Sequence, residues 1–154
     1  AEQSWSTTVM YYDNEWNSAD QLPARAISQG QIDELGSLDT SLGGTSRRAS
    51  LSGRYRKEDA DRGLTMRAYW IDYRMQLWSN FTYLLDNPIR GDQFEQFDDR
   101  SIMGGSAQYR WLHGPEQQFT HRAGVELRHD DIDEIGLYQT RQRRRIATTR
   151  QDSV

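Results

Sequence analysis

Five stretches of this chain alternate apolar and polar side chains with a period of two, and the connections between them alternate long and short. The alternating stretches fall near residues 5–12, 47–56, 64–85, 102–112 and 119–129. Between them run a long polar loop (13–46), a tight turn (57–63), a long loop (86–101), a tight turn (113–118) and a tail from 130 onward. Period-two alternation is the pattern of a strand with one covered face and one wet face. Nothing in an ordinary soluble sheet forces every second connection to be long. An outer-membrane barrel does force it, with short periplasmic turns and long extracellular loops. The rhythm therefore predicts an all-β chain: an antiparallel meander of about five or six long strands, a partial segment of a large transmembrane β-barrel. Residues 1–154 are expected to form one partial barrel domain, with extracellular loops at 13–46, 86–101 and 130–136 and periplasmic turns at 57–63 and 113–118.

Composition is compatible with that expectation. The hydrophobic fraction is only 35%, and no run approaches the roughly 18 apolar residues a membrane-spanning helix needs. A barrel strand needs far less, because only alternate residues meet lipid. The chain has no cysteine, which excludes a disulfide framework and thiolate metal sites. A formal charge of −4 gives no basis for a nucleic-acid partner, and none is expected. Many of the 8 Tyr, 5 Trp and 4 Phe fall inside the alternating stretches, as an interfacial girdle requires. Ala1–Gln3 opens directly into a strand pattern without a basic or apolar leader, consistent with a mature secreted protein or an internal fragment.

The faces can be assigned residue by residue. From 48 to 56, Ala49, Leu51, Gly53 and Tyr55 share one side, and Arg48, Ser50, Ser52, Arg54 and Arg56 the other. Further along, Tyr69, Ile71, Tyr73, Met75, Leu77, Phe81 and Tyr83 share one parity and are the expected lipid-facing residues. The opposite faces are expected to line a lumen through Arg48, Arg54, Arg74, Arg110, Arg122, Glu126 and Arg128. Guanidinium groups are fixed forks for carboxylate, phosphate or sugar oxygens, so such a lumen could guide an anionic ligand; the plainer reading is solvation of a polar interior. The run from 69 to 85, at about 3.3 Å per residue, reaches ~55 Å, far beyond the 9–11 tilted residues that cross a bilayer. A soluble, carbohydrate-directed β-sandwich shows the same alternation with its polar face to water, and Trp5, Trp70, Trp78 or Trp111 would be its stacking platforms.

Signals for chemistry are sparse. In the loop 13–46, residues 21–30 read as one short helix with Pro23 in its first turn and Gly30 as its stop. Beyond 135 the chain reads as one more strand or hairpin. His129-Asp130-Asp131-Ile132-Asp133-Glu134 is dense in potential ligands but lacks the twelve-residue calcium-loop pattern, so no metal is expected. His113, His121 and His129 are scattered, and no serine sits in a Gly-x-Ser-x-Gly elbow. No catalytic residue, no enzyme activity and no cofactor is expected. Arg141 and Arg143–Arg145 form a basic cluster that reads first as a solvated surface.

Three groups of residues resemble a known family. They are Trp16-Asn17-Ser18-Ala19-Asp20-Gln21-Leu22-Pro23-Ala24-Arg25-Ala26-Ile27, with Leu35-Gly36-Ser37-Leu38-Asp39 and Gly43-Gly44-Thr45-Ser46-Arg47 after it; Leu77-Trp78-Ser79-Asn80-Phe81-Thr82-Tyr83-Leu84-Leu85-Asp86, with Gly91-Asp92-Gln93-Phe94-Glu95-Gln96 and Asp99-Arg100; and Val125-Glu126-Leu127-Arg128-His129-Asp130-Asp131-Ile132, leading to Gly136-Leu137-Tyr138. Together they resemble the barrel region of TonB-dependent outer-membrane receptors. The resemblance implies a barrel of about 22 strands with an amino-terminal plug, in the Gram-negative outer membrane. It implies energy-coupled import of a scarce nutrient, a siderophore, vitamin or saccharide-like small molecule. The implied partners are that ligand, the lipid bilayer and an inner-membrane energy-coupling complex, reached through parts this sequence does not carry. The sequence departs from the family in showing no plug-like segment and no energy-coupling box, and about eight strands are needed for even the smallest barrel.

Overall fold

Alternation does produce strands, and all but the third are longer than the alternating stretches that predict them. The computed structural model describes residues 2–18, 21–33, 35–114 and 118–154. In chain order they form β1 (Glu2–Asn17), α1 (Ala24–Ser28), β2 (Gly43–Glu58), β3 (Arg62–Ser79), β4 (Phe94–His113), β5 (Phe119–Arg141) and β6 (Arg144–Asp152). The strands make one six-stranded sheet in the order β1-β2-β3-β4-β5-β6, an antiparallel meander. This is the all-β meander the alternation predicts. Because all six strands belong to one sheet, the described residues provide no second layer of a sandwich.

Several boundaries differ from expectation, each for a local reason. The expected strand run through 85 stops at Ser79, so Phe81 and Tyr83 lie in the loop 80–93 and not on β3. There the Asn80 side chain accepts a hydrogen bond from the Tyr83 amide at 2.8 Å, and Tyr83 takes a left-handed φ of 59°, which turns the chain out of the strand. The expected loop 86–101 ends early, because β4 begins at Phe94. Its acids stay in the strand by pairing: Asp98 with Arg100, Asp99 with Arg74 at 3.6 Å, and Glu95 with Arg145 at 2.8 Å.

The expected extracellular loop 130–136 is strand throughout, within the 23 residues of β5. The reversal comes at Gln142 and Arg143, with φ of 50° and 64°, the positive values a two-residue type I′ hairpin requires. So the third long connection of the predicted rhythm is a tight turn on tall strands. Pairing of β5 with β6 runs from Ile135 opposite Asp152 to Arg141 opposite Arg144, with irregularities at Leu137/Tyr138 and Gln139/Thr140. At the other end, β2 and β3 reverse through 59–61, where the Asp59 amide donates to the Arg62 carbonyl at 2.7 Å. The expected turn 113–118 falls partly on 115–117, outside the described residues. The helix expected over 21–30 is the five residues of α1, with Pro23 as its N-cap and Gly30 at φ 66° just beyond its end.

The chain divides into two compact units. The first comprises Ala1–Tyr11, Arg48–Asp72 and Ser101–Asp131, and the second Tyr12–Arg47, Tyr73–Arg100 and Ile132–Val154. The second holds every buried large apolar side chain among the described residues, Leu42, Trp78, Phe97 and Tyr138, together with Ala26 of α1. In the first, Leu51, Met66, Val125 and Leu127 are all exposed. Close backbone approach explains one glycine pair in the second unit. A Cβ on Gly44 would lie 2.6 Å from the Gln76 carbonyl oxygen and from the Trp16 ring, while Gly43 has φ 136° and its Cβ would meet the Trp16 carbonyl.

Candidate functional site

In the first unit, alternation on β2, β3, β4 and β5 turns polar residues to one side, and the structure gathers a basic depression there. Arg54 and Arg56 of β2, Arg67 of β3, Arg110 of β4 and Arg122 of β5 line it, with Thr65 and Gln108 between them. Glu58 at the end of β2 is the acid among the lining residues. It accepts from Arg110 Nη2 at 2.7 Å and from Arg56 Nε at 3.1 Å. Arg54, Arg67 and Arg122 make no ion pair among the described residues. Glu126 of β5 lines a neighbouring depression with Arg67, Ser106 and Gln108.

Of the seven residues expected to line a lumen, Arg54, Arg110 and Arg122 therefore converge. The others do not join them. Arg48 has a buried Nε with no hydrogen-bond partner among the described residues. Arg74 pairs with Asp99 and lies 5.2 Å from the centre of the Phe97 ring. Arg128 forms a two-pronged pair with Asp130, at 2.7 and 2.8 Å. Arg56, which shares the polar side of β2 with Arg54, and Arg67 are the arginines of the depression outside the expected lumen set. Arg67 shares the polar parity of Thr65 against Leu64, Met66 and Ala68, but lies where the phase slips before the apolar run from Tyr69.

Of the seven residues expected to meet lipid, Tyr69, Ile71, Tyr73, Met75 and Leu77 lie on β3 and are half-buried. The Tyr69 ring lies over Gly104 of β4, where an added Cβ would come within 2.5 Å of the phenol oxygen. Phe81 instead meets Phe94, with ring centres 5.5 Å apart, and the Tyr83 hydroxyl donates to the Gln21 carbonyl at 3.0 Å. Toward the end of β4 and the start of β5, Tyr109 stacks on Trp111 at 5.8 Å and Trp111 on His121 at 5.2 Å, an aromatic cluster at one end of the strands.

The second unit contains a polar hub. The Gln93 side chain uses its full capacity: Nε2 donates to Asp39 Oδ2 at 3.0 Å and Ser41 Oγ at 2.7 Å, while Oε1 accepts from Thr140 Oγ1 and the Arg143 amide, both at 2.9 Å. Arg143 Nε also donates to the Ser41 carbonyl at 2.8 Å, and its guanidinium covers Trp78 at 4.7 Å. Burial opposes ionisation of the Asp39 carboxyl, but hydrogen bonds from the Ser41 hydroxyl and amide, Asn80 and Gln93 outweigh it and hold its pKa below the ordinary value of 3.8. The hub ties Asp39 and Ser41 to the loop 80–93, β5 and the β5–β6 turn. In loop 80–93, Asp92 accepts from the amides of Asp86 at 3.0 Å and Asn87 at 2.7 Å, and its carboxyl is likewise lowered against the opposing effect of desolvation.

Beside the hub, Arg145 clamps Glu95 at 2.8 and 3.0 Å and reaches Glu134 at 3.0 Å. Its guanidinium stacks on Tyr138 at 3.6 Å. The acid-rich run 129–134 is thereby divided, Asp130 pairing with Arg128 and Glu134 with Arg145. No group of three or more metal-capable side chains converges among the described residues. Of the four tryptophans named as stacking platforms, Trp5 is 80% exposed and the other three are engaged within the protein. Trp78 is buried, Trp111 is stacked internally, and Trp70 Nε1 donates to Ser101 at 3.1 Å. Comparison of the chain with protein-family models, curated proteins and solved structures returns no match.

Proposed function

We propose that this chain is a stretch of wall from a large outer-membrane β-barrel of the TonB-dependent receptor type, carrying out no covalent chemistry. In this reading the polar sides of the strands border an aqueous interior, and the opposite sides bury their apolar residues in lipid. Loops 18–42 and 80–93 belong to the extracellular mouth, where a scarce small nutrient is selected. Six strands fall short of the eight of the smallest barrels, so the wall needs further strands. Import needs a plug and an inner-membrane energy-coupling complex.

One observation carries the reading. Five strands of 16 to 23 residues and a sixth of nine form a single sheet, and in the first unit its apolar residues are left exposed, Leu127 at 71%. Water-soluble sheets cover such a face with a second layer. Lipid is the cover that needs no partner protein, and the polar groups of a strand backbone are satisfied by neighbouring strands.

The test is tryptophan quenching by bilayers. The whole chain is refolded with phosphatidylcholine vesicles brominated halfway along the acyl chains. Quenching of tryptophan emission, with the protein floating alongside the vesicles, is the expected result. A chain that stays monomeric in the aqueous fraction with unquenched emission refutes the barrel wall.

A further inference from the structure

We infer that the basic depression of the first unit is a binding site for a small soluble polyvalent oxyanion of the pyrophosphate or phosphate-ester class. Five guanidiniums and one carboxylate give it a formal charge of +4, five minus one, in a chain whose net charge is −4. That one carboxylate, Glu58, is used by Arg56 and Arg110. Arg54, Arg67 and Arg122 remain, contributed by three different strands, with no acidic partner among the described residues. Thr65 and Gln108 add uncharged donors that make no side-chain hydrogen bond among the described residues. Of the acids in the adjoining depressions, Glu126 shares its depression with Arg67 without pairing to it, Glu2 lies beside Arg56 and Glu58, and Asp59 lies in a depression with Lys57 and Arg62.

Like charges on facing strands repel, so a patch of this kind favours a counter-ion. The geometry selects its valence. Four strands spaced about 4.8 Å apart set the outer arginines on backbones roughly 14 Å apart. A single monovalent anion cannot satisfy forks spread over that width, whereas linked phosphoryl groups present several acceptor oxygens to forks of matching shape. The site depends only on the polar side of the first unit. It therefore stands or falls separately from whether the opposite side meets lipid.

Calorimetric titration of inorganic pyrophosphate into the whole chain, held in a nonionic detergent, tests the site. The expected result is saturable binding that Arg67→Gln and Arg122→Gln each weaken about tenfold or more, as loss of a charge-assisted contact does. Arg128→Gln, which removes the same charge from a residue paired with Asp130, should leave the affinity within about twofold. Circular dichroism of each variant, unchanged from the parent, shows that the sheet persists. Absence of pyrophosphate binding by the parent chain overturns the proposal. So does equal weakening by all three substitutions, which would mean that net charge alone attracts the anion.

Discussion

Gln93 is the side chain whose loss should be felt furthest, and its effect can be worked out bond by bond. Gln93→Ala removes the acceptor of the Thr140 hydroxyl, which is fully buried and has no water to turn to. A buried polar group left unmade costs about 1–3 kcal/mol. It also removes the acceptor of the Arg143 amide, in a turn where a non-glycine residue holds φ at 64° against a cost of about 1 kcal/mol. Asp39 loses one donor but keeps the Ser41 amide at 3.0 Å. Because Asp39 and Arg143 are only half-buried and water can partly replace what they lose, the sum is discounted to about 2–4 kcal/mol.

Amide hydrogen exchange reads that magnitude locally. At 1.4 kcal/mol per decade, exchange at Ser41, Leu42 and Arg143 should accelerate about 30- to 700-fold. The Leu112 amide of the first unit, which donates to the Asp61 carbonyl at 2.8 Å, should not change. Gln93→Glu separates the two halves of the hub. It keeps an oxygen for Thr140 and Arg143 but sets a second carboxylate against Asp39, so Ser41 should lose protection while Arg143 retains it. Unchanged protection at Ser41 in Gln93→Ala, or equal loss at Leu112, would refute the assignment of Gln93 as a local anchor of loop 18–42.

Three further outcomes follow from the same geometry. Arg145→Met should leave Glu95, 1% exposed, with Gln76 as its remaining donor; breaking a buried pair costs about 3–5 kcal/mol, reduced here to roughly 1.5–3 because the Arg145 side chain is 38% exposed. Urea unfolding should show that loss, and Glu95→Gln in the same chain should recover most of it. Lowering pH should loosen both loops: the Asp39 and Asp92 carboxyls titrate below 3.8 when folded, so their stabilisation is complete above 3.8 and is lost as pH falls through the lower folded values. Exchange at Ser41 and Asn87, corrected for its intrinsic pH dependence, should rise there, and Asp39→Asn should abolish the effect at Ser41 alone. Leu127→Arg should cost about 2–4 kcal/mol of assembly into bilayers if that position lies near midplane, against no more than ~0.5 for a wet surface; vesicle refolding yields distinguish the two.

The strands were legible because alternation survives in the residue list. Val125, Leu127 and Arg122, Glu126 need only parity to be sorted. Their ends were not legible, because charges on the polar side of a strand look like charges in a loop. Glu95, Asp98 and Asp99 read as a loop, yet each finds an arginine within the second unit. The hairpin at Gln142–Arg143 has none of the Asn-Gly or Asp-Gly chemistry that marks such turns. What stabilises it is Gln93, 50 residues away in sequence, along with Ser41 and Trp78. The hub is invisible for the same reason, since Asp39, Gln93 and Thr140 are brought together by topology and no periodicity links them. Of the five arginines of the basic depression, Arg54, Arg56, Arg110 and Arg122 follow from parity; Arg67 sits at the phase slip, polar against Leu64, Met66 and Ala68 but in register with the apolar run from Tyr69 onward.

The two units obtain their stability differently, and the contrast bears on what surrounds the sheet. The second has a small core of Leu42, Trp78, Phe97 and Tyr138 capped by the hub. The first buries none of its large apolar side chains among the described residues. Leu51, Met66, Val125 and Leu127 are 49%, 46%, 58% and 71% exposed. Fully covering a side chain of this kind is worth about 1.5–3 kcal/mol, so covering the exposed portions of these four is worth roughly 3–7 kcal/mol. Whole domains are stable by only about 5–15 kcal/mol. A sheet wet on both sides forgoes a contribution of that order while still bearing the entropy of ordering strands of 16 to 23 residues. A bilayer against the apolar residues restores it without any new packing, and the arginines of the opposite side then need nothing more than water and an anion.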